Sequence, residues 1–64
     1  MLTIMFGQLE PGDTFIRLNF PEQLIFMKTV PFTYNDAIVN ALSMDFEYKI
    51  HVSDDIVVYL VESD

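Results

Sequence analysis

The 64-residue chain has no cysteine, a single histidine and only three basic residues. Without cysteine there is neither a disulfide framework nor a thiolate zinc site, the two common staples of very small domains, so stability must come from packing. One histidine, His51, excludes a histidine-rich metal centre within one chain. Three scattered bases against ten acids oppose a phosphate backbone electrostatically, and direct nucleic-acid binding is not expected. Glycine is scarce: Gly7 and Gly12 serve turns, and no glycine-rich run followed by lysine or serine offers a phosphate cradle. No apolar run approaches the ~18 residues of a membrane span. The stretch from Leu2 to Phe6 has no basic residue before it and is too short for a signal-peptide core. The expectation is a soluble, cytoplasmic protein without a cofactor.

What is present is apolar surface. Hydrophobic residues make up 52% of the chain, nine of them aromatic, which is far more than a disordered chain carries. The length allows one small domain over residues 1–64, and a domain of this size is marginally stable alone. The charge is uneven. Residues 1–32 have a net charge of −1, whereas residues 33–64 carry seven acids against Lys49 alone, a net of −6. A charge-driven partner should therefore be basic and should meet the second half.

Pro11, Pro21 and Pro31 fall ten residues apart after apolar runs, the punctuation of short strands. Glu10-Pro11-Gly12-Asp13 meets the requirements of a type II turn. From Thr14 to Phe20, period two places Thr14, Ile16, Leu18 and Phe20 on one face and Phe15, Arg17 and Asn19 on the other. Leu24 to Val30 is apolar on both faces, as is Ile56 to Val61 after the Ser53-Asp54-Asp55 turn. Between them, Phe46, Tyr48, Ile50 and Val52 should form the dry side of a strand and Glu47, Lys49 and His51 its wet side. Tyr34 to Met44 fits either a helix capped at Asn35 or Asp36 or another strand, and its β surroundings favour the strand. The sum is an all-β fold of five or six short antiparallel strands, most economically closed into a small barrel.

Leu9-Glu10-Pro11-Gly12-Asp13-Thr14-Phe15, Phe26-Met27-Lys28, Asp36-Ala37-Ile38 and the acidic turn before Val57 and Val58 resemble small uncharacterised β-rich proteins of phages and cyanobacteria. Those open with Leu-x-x-Gly-Asp-x-Phe and continue with Tyr-x-Lys and Asn-Ala-Val. Here Phe26 stands where tyrosine is usual and Asp36 where asparagine is usual. The resemblance implies an SH3-like barrel and a phage or cyanobacterial origin, with the host-cell cytoplasm as the location of a phage-encoded protein. It implies no activity.

His51, Ser53, Asp54 and Asp55 contain the residue types of a hydrolytic triad, but neighbours in one strand and its turn do not bridge nucleophile to acid, and no enzyme is expected. Asp54 and Asp55 lack the alternating oxygen ligands and central glycine of a calcium loop. The apolar surplus is the stronger signal. Two strands apolar on both faces exceed what one barrel interior can hide, so either Met1 to Phe6 covers the second face or another subunit does. Phe26, Met27, Val57, Tyr59 and Val61 are the candidate contacts for a protein partner or homo-oligomer, with Asp45, Glu47, Asp54, Asp55 and Glu62 as the acidic surface. The leading expectation is a non-enzymatic interaction module. One alternative is an oligomer that sequesters a small signalling ligand between subunits around Phe26, Tyr48 and Tyr59, with Arg17 and Lys28 converging on an anionic one. The other is an acidic mimic of nucleic acid that inhibits a DNA-binding or defence protein, although Lys49 and His51 interrupt the row begun by Asp45 and Glu47.

Overall fold

The computed structural model describes residues 2–18 and 23–61. The chain forms one antiparallel sheet of six strands: β1 (Thr3–Met5), β2 (Thr14–Arg17), β3 (Ile25–Tyr34), β4 (Ala37–Ser43), β5 (Lys49–Ile50) and β6 (Val57–Val61), in the order β1-β6-β2-β3-β4-β5. The all-β expectation and its strand number hold. A single 3-10 turn, Phe6–Gln8, is the only helical element among the described residues.

One face of the sheet packs on the core. Phe15, Phe26 and Val58 come from adjacent strands and are fully buried with Ala41 of β4, while Phe6, Leu9 and Val52 close over them from the connections. The Phe6 ring meets Phe15 edge-on at 5.3 Å and Phe15 stacks on Phe26 at 5.8 Å, the offset arrangements that aromatic quadrupoles favour. On β2 it is therefore the Phe15 side, and not the side of Ile16 and Leu18 with its larger aliphatic count, that enters the core.

Two polar devices hold the covering segments. Lys28 Nζ donates to the carbonyls of Phe6 (3.0 Å) and Leu9 (2.7 Å) and lies 4.6 Å from the centre of the Phe6 ring. A cation thereby adds charge-assisted bonds to carbonyls at the end of the 3-10 turn, the Phe6 carbonyl also accepting from the Leu9 amide. Where the β4–β5 ladder stops at Ile50, the buried Asn40 side chain takes over: its Nδ2 donates to the Val52 carbonyl (2.9 Å) and its Oδ1 accepts from the Val52 amide (2.8 Å). The amide group imitates one more residue of strand pairing and sets Val52 into the core.

The turn at Glu10–Asp13 has Gly12 at φ +100° and the Asp13 amide donating to the Glu10 carbonyl, as its residues require. Gly7 answers a different demand, because a Cβ there would lie 2.8 Å from Asp54 Cβ. Residues 37–43 are strand, and Asn35 and Asp36 are no helix cap: both have positive φ, 50° and 64°, and join β3 to β4 as a two-residue hairpin turn.

Several boundaries differ from the sequence pattern. Pro31 does not end a strand. It lies within β3, at a bulge between Lys28 and Phe32, beyond the last residue paired to β2, where a missing N–H costs no ladder bond. The strand expected from Phe46 to Val52 shrinks to Lys49–Ile50. Ser43 Oγ donates to Asp45 Oδ1 and accepts from the Tyr48 amide, and Asp45 Oδ1 also accepts from the Glu47 amide. This network bends the chain into a turn, puts Phe46 at φ +63° and leaves it 63% exposed. Of the four residues assigned to the dry side, only Ile50 and Val52 pack on the core. The expected extension of β2 to Phe20 and the turn at Pro21 include residues outside those described.

Candidate interaction surface

Strand alternation sends every second residue to the face of the sheet opposite the core, and the registers assemble these residues into rows. Met5 pairs with Val57 at one end. Thr3, Tyr59, Ile16 and Ile25 form the next row across β1, β6, β2 and β3. Val61, Thr14, Met27, Leu42 and Lys49 form the third, from β6 to β5. The central residues are half-buried by one another, whereas Met5, Ile25 and Val57 are exposed. Most residues of these rows are apolar, and among the described residues their single charge, Lys49, stands at the β5 edge.

The charges are segregated. All seven described acids, Glu10, Asp13, Asp36, Asp45, Glu47, Asp54 and Asp55, lie in turns or connections, and no described strand contains one. The three bases, Arg17, Lys28 and Lys49, all lie in strands. Asp45 is exposed, and its carboxyl is held below the ordinary aspartate value first by the Ser43 hydroxyl and then by the Glu47 amide, against an opposing effect of desolvation. Glu62, the remaining member of the expected acidic surface, lies outside the described residues.

Met27, Val57, Tyr59 and Val61 share the outer face. Phe26 does not: it is 0% exposed, in the middle of the core, and has no surface to offer a partner. It also lies on the face opposite Tyr59, so Phe26, Tyr48 and Tyr59 do not line one pocket within the chain. Arg17 and Lys28 are likewise apart. Arg17 ends β2, while Lys28 is level with Asp13 through the bond from its amide to the Asp13 carbonyl, four residues or ~13 Å away at the rise of a strand. Two of the three Lys28 N–H groups are already used by carbonyls. His51 and Ser53 are both exposed in the connection before β6.

The N-terminal segment does not cover the second face of β6. Thr3–Met5 pairs with Val57–Tyr59 edge to edge, so it extends the sheet in its own plane and adds Met5 to the outer face. Sequence reasoning missed Ile16, Ile25 and Leu42 as members of this face. Alternation already separated Ile16 from Phe15, but only the cross-strand register brings Ile16 beside Tyr59 and Ile25.

Among the described residues no group of three or more His, Asp and Glu side chains could hold a metal ion, and no helix is long and apolar enough to cross a membrane. Comparison of the chain with protein-family models, curated proteins and solved structures finds no match.

Proposed function

We propose that the protein is a non-enzymatic interaction module that attaches through the outer face of its sheet, while its acidic turns steer a basic partner. The observation that supports this reading is the arrangement of three cross-strand apolar rows on a face without a described acid, next to an N-terminal strand that widens the face. Apolar burial supplies affinity at such a surface, and charges outside it act mainly on encounter rate and selectivity. The resemblance to small phage and cyanobacterial proteins accords with a module that works in a host cytoplasm by attachment.

The test is retention of protein partners by the purified, tagged chain in extracts of its native host, with two variants compared. Tyr59→Ala should lose the retained partner, and the double change Asp54→Asn, Asp55→Asn should slow its capture and make capture less sensitive to salt. The opposite pattern, with Tyr59→Ala harmless and the Asn pair inactive, would establish the nucleic-acid mimic instead. A small molecule copurifying in native mass spectra would establish the ligand-sequestering oligomer.

A further inference from the structure

The sheet face has one occupant that the charge distribution favours. Resting on the reading of that face as the attachment surface, we infer that it is covered by a second copy of this chain, in a two-fold dimer with Ile16, Met27 and Tyr59 near its centre.

Three observations carry this. The chain bears a net charge of −7, and every described acid projects from a turn or connection. Two copies meeting through the turns would bring like charges together, whereas the outer face presents no described acid to its mate. A two-fold contact places the same patch on both sides and demands self-complementarity, which a mostly apolar surface provides, its charged residue Lys49 standing at the β5 edge.

The second observation is size. The molecule spans 34 × 23 × 22 Å, so one side of it is of the order of the ~800 Å² that each partner commits to a stable interface. The third is the state of the core. Eight buried hydrophobic residues, including one alanine, form it among the described residues, and there is no cysteine to staple the fold. Oligomerisation is one of the few remaining means by which so short a chain gains stability. Met5 and Met27 suit such a contact because the thioether side chain adapts to an apposed surface.

Sedimentation equilibrium of the purified chain from ~1 to ~100 μM, a range chosen to span ordinary dimer affinities, decides the matter. The expected result is twice the 7.4 kDa chain mass at the upper end, with a melting temperature that rises with protein concentration. Ile16→Glu should give the chain mass throughout and melt independently of concentration, and the milder Met27→Gln should weaken association at least tenfold if Ile16→Glu does not fold. Phe46→Ser, which alters an exposed aromatic of the turn before β5 that belongs to none of the three rows, should leave the dimer intact. A wild-type monomer at 100 μM would overturn the inference, as would a dimer indifferent to both face variants or dissolved by Phe46→Ser. If that monomer still captured a protein through Tyr59, attachment by the face would stand and the second copy alone would fail; if it captured none, both would fail.

Discussion

The two faces of the sheet have nearly the same chemistry and different fates. On the inner face, Phe15, Phe26 and Val58 are covered by Phe6, Leu9 and Val52. On the outer face, Ile16, Met27 and Tyr59 have no such cover from the N-terminal strand, which joins the sheet at its edge. What separates the faces is the pair of segments that the chain folds back over one of them, and these segments are held by polar groups: Lys28 on the 3-10 turn and Asn40 on Val52. The difference teaches that hydrophobicity chose the strands, while a few hydrogen bonds chose which side became the core.

That contrast can be broken from the inside. Phe15→Ala removes a ring in contact with both Phe6 and Phe26 and should cost ~3–5 kcal/mol by denaturant unfolding. Ile16→Ala, the next residue on the opposite face, should cost less, ~1–2 kcal/mol in dilute solution, because Ile16 is only half-buried. Comparable losses would show the outer face to be packed within the monomer.

Loosening the cover should have intermediate effects. Lys28→Met deletes two charge-assisted bonds and the contact with the Phe6 ring, a loss of ~1.5–3 kcal/mol. Hydrogen exchange should then accelerate first in residues 6–9. Asn40→Ala leaves the buried Val52 amide and carbonyl without these partners and should cost ~1–3 kcal/mol, with faster exchange at Val52 as its local signature. The smallest change belongs to the turn beside the sheet. Because Asp45 titrates below 3.8 in the folded protein, its stabilisation is present above the unfolded value and is lost as pH falls through the lower folded value. Asp45→Asn should therefore lower the melting temperature near neutrality, and the gap from wild type should narrow in acid.

Much of this frame is legible in the residues. The Pro11-Gly12 turn, the β-branched run of β6 and the alternation around Phe15 can be read directly. Asn35-Asp36 was also readable as a hairpin turn, since both residue types tolerate positive φ, but asparagine and aspartate are equally good helix caps and the sequence does not distinguish the uses. The Ser43–Asp45 network depends on a geometry that period-two counting ignores, which is why Phe46 and Tyr48 did not follow Ile50 and Val52 inward. Lys28 shows the same limit at the site. Its charge suggested a ligand, and only the path of the 3-10 turn reveals that its nearest acceptors are the chain's own carbonyls. The outer face was legible as a surplus of apolar residues and became a surface only through register.

The bulge in β3 carries a rule about chain length. From Lys28 to Phe32 the strand advances four residues while its partner β4 advances two, from Ala41 to Val39, so the excess is an even number. An even excess leaves the in-and-out order of side chains the same on both sides of the irregularity, and an odd one would reverse it. Removing Val30 alone would thus set the hairpin tip out of phase with the sheet, whereas removing Val30 and Pro31 together would restore a plain ladder. Between Lys28 and Phe32, parity constrains insertions and deletions more tightly than the identity of the residues does.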